Sequence, residues 1–440
     1  MREWEKIYQE RLMSADQALK MVKSGQRLLT GHNSSEPKVL LDALCRRAGE
    51  LKNVSLWQGL NISEGEYAKP EYAGHIYVDS IFLGPSTRDA INEQRGQFTP
   101  MHLSLIDRCL REGQVKLDGF LTTVTPPNEE GFCNFGVSGD YAIHSPDYCD
   151  YIIAAVNPHM PWTCSEGQLN QIPVARVAAF VETDLPIPTI GKIDDNDPIT
   201  EQIGKNIAGL IEDGSTLQMG QGKVPNAILR FLGGKKDLGI HTEVFSDNLL
   251  PLIEQGVITG AKKRIDVGKI VTTFIQGTKA LYRYADHNEL IKVMPGCYTN
   301  SPGIIAQNDR VVAINAALEI DMMGQVAAES IGPRQISGIG GQLDFLRGAA
   351  YSKGGKPILA LPSTAQNGKV SRIVATLTPG APITTPRADI FWVVTEYGAV
   401  NLFGKSIQER AKALLNLAHP DFRAELAKDF AIYLRSMGRR

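Results

Sequence analysis

The 440-residue sequence has no excess of charge of either sign and no closely spaced cysteine pair. It contains 46 lysine and arginine residues against 48 aspartate and glutamate residues, which gives a formal net charge of −2. A chain without an overall positive field is not expected to bind nucleic acid or an acidic membrane surface. The six cysteines include no C-x-x-C pair, which argues against a zinc ribbon and against a secreted disulfide framework.

Long apolar runs and a signal peptide are absent as well. No apolar run approaches the roughly 18 residues that a membrane-spanning helix needs. The N-terminal stretch MREWEKIYQERL is amphipathic and charged, unlike a signal peptide with its apolar centre. The histidines do not form the H-E-x-x-H pattern of a zinc-binding helix. We therefore expect a cytoplasmic protein without a membrane span and without a bound metal.

Short apolar runs that alternate with helical patterns make up most of the sequence. The runs suited to buried parallel strands are 27–30, 54–57, 120–124, 151–156, 216–219, 311–315 and 357–361. Segments of helical period include 39–47, 227–232 and 248–255. This alternation predicts an α/β fold whose parallel sheets are covered on both faces.

The two halves of the chain resemble each other. SGQRLLTGHNSSEPKVLLDAL, from Ser24, aligns with DGSTLQMGQGKVPNAILRFL, from Asp213. In both, a strand pattern leads through a glycine turn into a helical pattern with a proline near its start. The sequence therefore predicts two tandem open α/β domains related by internal duplication, residues 1–185 and 199–440. The proline-rich and acidic stretch between them predicts a linker over 186–198.

Glu243 is a point at which the second copy departs from the first. It follows a predicted strand end in LGIHTEV, whereas the first copy has LWQ at 56–58. A solvated loop residue explains such an acid, with Ser246 or Asp247 capping the next helix. A functional acid explains it as well, because duplicated α/β units usually bind ligands where their strand ends meet.

Two glycine-rich stretches of the second copy are candidate ligand loops. GQGKVP, 220–225, follows a strand pattern and precedes a helix, so its amides can bind an anion. In SGIGG, 337–341, Gly338, Gly340 and Gly341 can bring amides onto a developing oxyanion. A tight turn without a ligand is the alternative for both stretches, and the presence of SGIGG in the second copy alone favours a function for it. Neither matches a P-loop or a dinucleotide-binding fingerprint.

Several of these stretches occur together in a known family. GQGKVP, GIHTEVFSD, INAALEIDMMGQV and SGIGGQLDFLRGA, in this order, resemble the acetyl-CoA hydrolase/transferase group of class I CoA-transferases. The resemblance extends over nearly the whole chain through GHNSSEP, TPPNEEGF and TEYGAV. Within the group, the sequence is most similar to members that act on 4-hydroxybutyrate, and then to butyrate:acetate and acetate-specific members.

The resemblance implies a CoA-transferase that acts on short-chain acyl-CoA, such as acetyl-CoA or butyryl-CoA, and a carboxylic acid. CoA is then a substrate and not a permanently bound cofactor, with no nucleic acid or membrane partner and a homodimer or larger homo-oligomer as the assembly. Glu243 matches the nucleophile of the family. The CoA loop falls on Gly220, Gln221, Gly222, Lys223 and Val224. A second CoA and oxyanion loop falls on Gly338, Gly340 and Gly341.

The sequence leaves three further points open. Asn300 matches an oxyanion-hole asparagine of the family, although an Asx-turn explains an asparagine in YTNSPG as well. Gln221 and Lys223 differ from the isoleucine and small residue that are commoner in the family. The first copy is expected to line the carboxylic acid site with His32, Asn33, Ser34 and Gln58.

The residue types fit a covalent mechanism through Glu243. A carboxylate can attack an acyl-CoA thioester, because the departing thiolate needs no proton. The resulting glutamyl-CoA thioester can then pass CoA to an incoming carboxylate by ping-pong chemistry. An acetyl-CoA hydrolase, which resolves the same intermediate with water, and a protein that binds CoA esters without catalysis are the two alternatives.

Overall fold

The computed structural model of the chain describes residues 1–191 and 197–437. Two compact units can be distinguished by their internal contacts. The first unit consists of Met1–Gly191, Glu243–Asp247 and Ile270–Thr299. The second consists of the described residues within Lys192–Thr242, Asn248–Lys269 and Asn300–Arg440. These units are discontinuous in sequence, so the continuous domains 1–185 and 199–440 stay a prediction, and part of the predicted linker 186–198 lies outside the described residues.

A parallel sheet forms the centre of the first unit. Its strands are β1 Arg27–Thr30, β2 Val54–Gln58, β3 Ile76–Ser80, β4 Gln97–Phe98, β5 Leu117–Val124, β6 Cys149–Val156 and β7 Ala179–Glu182. They lie in the order β4-β3-β2-β1-β5-β6-β7, and all neighbours are parallel. The four strands predicted in this half are confirmed, with ends that differ by at most a few residues.

Helices and loops cover both faces of this sheet. The α-helices of the unit are Glu3–Arg11, Ala15–Ala18, Lys38–Arg46, Arg88–Asn92, Ile106–Arg111, Lys279–Ala285 and Gly296–Thr299. Successive residues of β1 pack on opposite faces of the sheet. Leu28 belongs to one apolar cluster and Leu29 to another. Both are fully buried, as expected for a strand with two covered faces. Short pairs outside the sheet are Phe132–Asn134 with Gln171–Pro173, Val244–Phe245 with Phe274–Ile275, and Ile270–Thr272 with Ile291–Val293.

The second unit also contains a mainly parallel sheet. Its strands are β8 Thr216–Met219, β9 Gly239–Ile240, β10 Val311–Ala316, β11 Lys356–Ala360, β12 Trp392–Thr395 and β13 Gly398–Asn401. The order is β9-β8-β10-β11-β12-β13, and only the last pair is antiparallel. The strands predicted at 216–219, 311–315 and 357–361 are confirmed.

The helices of the second unit complete the α/β pattern. They are Pro198–Ala208, Lys223–Leu229, Leu250–Glu254, Pro302–Ile305, Gln342–Tyr351, Ile407–Leu417 and Pro420–Met437. Short strands outside the sheet are Glu319–Asp321 with Val326–Ala327 and Ile373–Val374, Ser330–Ile331 with Arg334–Gln335, and Thr364–Ala365 with Val370–Ser371. Within the described part of the chain, the helices are too short or too polar to span a bilayer.

The two sheets share a strand order, which agrees with the predicted duplication. The order β2-β1-β5-β6-β7 of the first sheet recurs as β9-β8-β10-β11-β12 in the second. Arg27 pairs with Ser55 in one sheet, and Thr216 pairs with Gly239 in the other. Glu243 lies four residues after Gly239, and Gly59 lies four residues after Ser55. Gly59 is therefore the counterpart of Glu243 in the first sheet. The counterpart is therefore one residue beyond the predicted stretch 56–58. The α/β fold with parallel sheets is confirmed.

Candidate active site

The end of β9 is fixed by a buried threonine directly before Glu243. The Thr242 hydroxyl donates to the Met219 carbonyl oxygen at 2.9 Å, and the Met219 amide donates to the Thr242 hydroxyl at 3.2 Å. Thr242 is almost completely buried, at 1% exposure. These bonds join the carboxyl ends of β8 and β9 in the second unit. Glu243 is the next residue along the chain and begins a segment of the first unit.

The backbone of Glu243 is held by several donors within the first unit. Its carbonyl oxygen accepts hydrogen bonds from the Thr273 amide at 3.0 Å and the Phe274 amide at 3.1 Å. The hydroxyls of Thr272 and Thr273 lie 3.0 and 2.7 Å from the same oxygen. The residue as a whole is half-buried. The backbone of Glu243 is therefore fixed within the first unit, and the catalytic role of its side chain stays a prediction.

The capping role predicted for Ser246 or Asp247 is wrong. Helix Leu250–Glu254 has Leu249 at its N-cap and no side-chain cap. The Asp247 carboxylate instead accepts hydrogen bonds from the amide of Thr278, at 2.8 Å, and from its hydroxyl. Asp247 is therefore engaged at the start of a different helix, Lys279–Ala285, for which Thr278 is the N-cap.

A buried polar group lies beside the segment that holds Glu243. The ring of Phe274, whose amide donates to Glu243, makes an edge contact with the ring of His32 at a centroid distance of 4.9 Å. The Nδ1 atom of His32 contacts the Asp140 carboxylate. That carboxylate also accepts from the Ser138 hydroxyl at 3.1 Å and from the Tyr141 amide at 2.6 Å. The orientation of His32 is therefore fixed.

The other polar residues that are expected to line the carboxylic acid site are buried in the first unit. Asn33, Ser34 and Gln58 are at most 1% exposed. The Asn33 amide donates to the carbonyl of Leu60 at 2.8 Å, which joins the loops that follow β1 and β2. The side-chain nitrogen of Asn33 has no hydrogen-bond partner within the described residues. The Gln58 side chain instead interacts with Asn61 and Tyr67. One buried amide donor, that of Asn33, is therefore available at the carboxyl edge of this sheet.

Sequence reasoning missed a buried acid in the same region. Glu36 is only 5% exposed. Its carboxylate accepts hydrogen bonds from the Ser63 amide at 3.0 Å, the Ser63 hydroxyl at 2.7 Å and the Tyr67 hydroxyl at 3.3 Å. Burial raises the pKa of Glu36, and the hydrogen bonds from Ser63 and Tyr67 oppose that shift. Its place inside the GHNSSEP stretch is the one signal in the sequence that could have indicated it.

The first glycine loop has the predicted strand, turn and helix. Gly220 follows β8, and Gln221 and Gly222 form a bend before helix Lys223–Leu229. Gly222 has φ +138°, a conformation that favours glycine. No heavy atom lies within 4 Å of the point where a Cβ of Gly220 would stand, so the loop is open on that side.

The second glycine loop lies at the same edge of the second sheet. Gly338 to Gly341 lead directly into helix Gln342–Tyr351, which packs on β10 and β11. Because this helix precedes β11 and runs back along parallel strands, its N-terminal end lies at their carboxyl edge. Gly340 has φ +56°, in the left-handed region. Within the second unit, both candidate CoA loops therefore face the edge where ligands of α/β sheets bind.

Asn300 lies in the turn between helices Gly296–Thr299 and Pro302–Ile305. Its side chain is fully buried, at 0% exposure. Its role as an oxyanion donor, like the roles given to Glu243 and to the two glycine loops, stays a prediction.

The sequence as a whole is 41% identical over 433 residues to the 4-hydroxybutyrate coenzyme A transferase of Clostridium kluyveri, covering 97% of this chain and 99% of that protein. Residues 1–190 match the N-terminal domain model of the acetyl-CoA hydrolase/transferase family, and residues 277–430 match its C-terminal domain model. The chain belongs to the acetyl-CoA hydrolase/transferase family. The predicted class of enzyme, a CoA-transferase, is confirmed by this similarity.

Solved structures agree with this assignment to the acetyl-CoA hydrolase/transferase family. RipA from Yersinia pestis is 37% identical, with a TM-score of 0.91 and coverage of 97% of this chain and 98% of that chain. The 4-hydroxybutyrate CoA-transferase from Porphyromonas gingivalis is 36% identical, with a TM-score of 0.83 and coverage of 98% of this chain and 100% of that chain. The family fold is therefore present over almost the full length.

Proposed function

We propose that this protein transfers CoA between a short-chain acyl-CoA, such as acetyl-CoA or butyryl-CoA, and a carboxylic acid, with 4-hydroxybutyrate as the preferred acid. The reaction follows ping-pong chemistry through a thioester between Glu243 and CoA. The hydrogen-bonded backbone of Glu243 at the end of β9 is the observation that carries this proposal. The names of the relatives in C. kluyveri and P. gingivalis support the choice of acid.

The first half-reaction consists of two additions. The Glu243 carboxylate attacks the thioester carbonyl, the carbon–sulfur bond breaks, and the CoA thiolate leaves with the electron pair. An acyl-glutamyl anhydride remains. A thiol titrates near pH 8.5, so the thiolate can leave without being protonated. The thiolate then attacks the glutamyl carbonyl, which releases the acyl group as a carboxylate and leaves a glutamyl-CoA thioester.

The second half-reaction reverses these steps with a different acid. An incoming carboxylate attacks the glutamyl thioester and expels the CoA thiolate. The thiolate then attacks the carbonyl of the new acyl group and regenerates the Glu243 carboxylate. No bond to water is formed, so the energy of the thioester is kept in the new acyl-CoA.

The glycine loops have separate tasks in this proposal. Gly338, Gly340 and Gly341 provide amides to the oxyanion of each addition, with Asn300 as a further donor, and losing one donor costs about 3 kcal/mol of transition-state stabilisation. The residues from Gly220 to Val224 hold CoA at a distance from the reacting carbonyl. Good alignment of the two reactants is worth about 7–11 kcal/mol.

The first unit provides the acid side of the proposed reaction. The side-chain nitrogen of Asn33 is a buried donor without a hydrogen-bond partner within the described residues. A buried donor left without a partner costs about 1–3 kcal/mol. A carboxylate that accepts a hydrogen bond from this nitrogen recovers part of that cost, which supports an acid-binding role for the loop after β1.

Hydrolysis is the second candidate, because the family whose models match includes acetyl-CoA hydrolases by name. Acetyl-CoA is incubated with the protein, with and without 4-hydroxybutyrate or butyrate, while free thiol and acyl-CoA products are followed. Transfer predicts a new acyl-CoA when the acid is present and little free thiol when it is absent. Equal release of free thiol in both samples contradicts transfer and supports hydrolysis.

A CoA-ester-binding protein without catalysis is the third candidate. Such a protein gives no product in either sample and needs no nucleophile. We expect Glu243→Ala to abolish turnover while its affinity for CoA stays within about tenfold of wild type, a change of less than about 1.4 kcal/mol. Turnover retained by this variant refutes the role of Glu243. We further propose that the protein is cytoplasmic and forms a homodimer or larger homo-oligomer. Sedimentation of the full chain tests the assembly.

A further inference from the structure

A cluster of an acid, a histidine and a cysteine lies in the first unit, and the proposed transfer reaction does not use it. Asp107 is on helix Ile106–Arg111, His144 directly precedes the turn Ser145–Tyr148, and Cys297 is on helix Gly296–Thr299. One potential ligand atom of each residue lies within 4.8 Å of the other two. All three residues are half-buried.

The three side chains converge on a single ring nitrogen. His144 Nδ1 is 2.8 Å from the Asp107 carboxylate and 3.8 Å from the Cys297 sulfur. In a cysteine–histidine–acid catalytic triad, the acid and the nucleophile contact opposite nitrogens of the ring. The arrangement therefore does not fit a nucleophilic triad. It fits a set of ligands that surround a common centre.

The distances are close to those around a tetrahedral zinc ion. Zinc–nitrogen and zinc–sulfur bonds of about 2.0–2.1 and 2.3 Å separate the two ligand atoms by roughly 3.5 Å. The observed sulfur–nitrogen distance of 3.8 Å is close to this value. The observed nitrogen–oxygen distance of 2.8 Å is shorter than the tetrahedral separation by roughly half an ångström, so binding requires a small outward shift of the carboxylate.

Neighbouring groups hold the ligands in place. The Tyr148 hydroxyl donates to the Asp107 carboxylate at 3.3 Å, and Arg111 contacts its other oxygen at 3.2 Å. Hydrogen-bonded carboxylates of this kind are usual around metal ions, because the second contact orients the ligand. The Gly296 amide, next to Cys297, donates to the Asp140 carbonyl at 2.7 Å. The Arg111 side chain is 60% exposed, so solvent screens its repulsion of a cation.

We propose that Asp107, His144 and Cys297 bind Zn²⁺, a divalent, borderline-soft metal ion. Thiolate, imidazole and carboxylate together favour zinc over magnesium or calcium, which take oxygen ligands. Three protein ligands leave the fourth position to water. On binding, the Cys297 thiol loses its proton to solvent and the sulfur bonds the metal. The ion joins three elements that are far apart in sequence.

The expectation that no metal is present came from the spacing of the histidines, which cannot reveal a site assembled from residues 107, 144 and 297.

The test uses full-length protein from which metal has been removed with a chelator. Zinc affinity and stoichiometry are measured by competition with a chromophoric chelator. Cobalt is then used as a spectroscopic replacement, because a cobalt–thiolate bond gives a charge-transfer absorption band. We expect one zinc ion per chain and a thiolate band with cobalt. Cys297→Ser and His144→Gln should each weaken zinc binding by more than about tenfold, and Cys297→Ser should lose the band.

Cys109→Ser is the matched control, because Cys109 is on the same helix as Asp107 and lies outside the cluster. This variant should bind zinc and cobalt like wild type. The proposal is overturned if wild-type protein shows no cobalt–thiolate band, or if Cys297→Ser binds zinc as tightly as Cys109→Ser. The wild-type cobalt spectrum requires no variant, so a folding defect caused by a substitution cannot conceal the result.

Discussion

Thr273 donates two hydrogen bonds to the main-chain carbonyl of Glu243, one from its amide at 3.0 Å and one from its hydroxyl at 2.7 Å. Each hydrogen bond contributes about 1 kcal/mol net. Rotation of the Glu243 peptide would break these bonds and lose their stabilising free energy. Misplacement of a reacting group by about 1 Å can lower a rate by about a hundredfold. We therefore treat this anchored backbone as part of the proposed catalytic machinery.

Thr273→Val should lower kcat by about five- to tenfold. Valine keeps the shape of the buried side chain but removes the hydroxyl donor, at a cost of about 1 kcal/mol in how firmly the Glu243 peptide is held. The KM for acyl-CoA should change little, because the glycine loops are untouched. Steady-state kinetics with both substrates measures the two constants. Thr122→Val, at another buried threonine of the first unit, is the control and should retain full kcat. An equal loss of kcat in both variants argues against a specific role for Thr273.

Gly220→Ala should weaken binding of acyl-CoA while leaving the fold intact. Neither a positive φ nor a neighbouring atom opposes a methyl group at this position, so stability should stay within about 1 kcal/mol of wild type. A ligand pressed against the backbone meets that methyl group, and we expect the KM for acyl-CoA to rise about tenfold through loss of one or two hydrogen bonds. Gly234→Ala, at an equally open glycine of the second unit, is the control. An unchanged KM in Gly220→Ala removes this loop from the CoA site.

Asn33→Asp should discriminate between the two substrates of the proposed reaction. Asn33 has φ +55°, a conformation that aspartate also tolerates, so the backbone should be kept. The change replaces a buried donor by a negative charge, which repels a carboxylate more than a neutral thioester. We expect the KM for 4-hydroxybutyrate to rise more than about tenfold and the KM for acetyl-CoA to rise less. A parallel rise in both constants contradicts a carboxylate-binding role.

Glu36 should make the stability of the first unit fall as pH rises. Its pKa is raised above the ordinary value of 4.5, mainly by burial, so the folded state holds the proton more tightly than the unfolded state. From pH 4.5 up to the raised pKa, the folded state therefore binds more protons, and the free energy of unfolding decreases with pH. The contribution is present below pH 4.5 and is lost as pH rises through the raised pKa.

Glu36→Gln should remove this dependence of the free energy of unfolding on pH. For one proton its slope is at most about 1.4 kcal/mol per pH unit. Urea unfolding at a series of pH values measures it for wild type and variant. Glu10→Gln, at an exposed acid of helix Glu3–Arg11, should behave like wild type. If the difference in unfolding free energy between wild type and Glu36→Gln does not depend on pH, the Glu36 carboxyl is not the group responsible.

Local patterns were sufficient to predict seven strands of the two large sheets and the glycine turns, but not strands such as β3 and β12. Continuous apolar runs such as 216–219 mark strands with both faces buried, and glycine before a helical pattern marks the turn after β8. Local patterns predict that a residue is buried, but they do not predict which part of the chain packs against it. The packing of 243–247 and 270–299 with the first unit was for this reason not predictable.

Contacts across long sequence separations were missed for the same reason. The sequence predicts that Asp247 or Ser246 caps the helix that follows, but the Asp247 carboxylate accepts a hydrogen bond from Thr278, 31 residues away. His144 is separated by 37 residues from Asp107 and by 153 from Cys297, so no spacing rule could group them. Gly59, the counterpart of Glu243, became identifiable only through the pairing register of the two sheets.

Trapping the covalent intermediate tests the central claim most directly. Full-length protein is incubated with acetyl-CoA, treated with borohydride, digested and examined by mass spectrometry. Borohydride reduces a glutamyl thioester to an alcohol but leaves a free carboxylate unchanged, so the peptide that contains Glu243 should carry an alcohol only after exposure to acetyl-CoA. An unchanged Glu243 peptide from protein that turns over under the same conditions, or an alcohol at a different acid, contradicts the account.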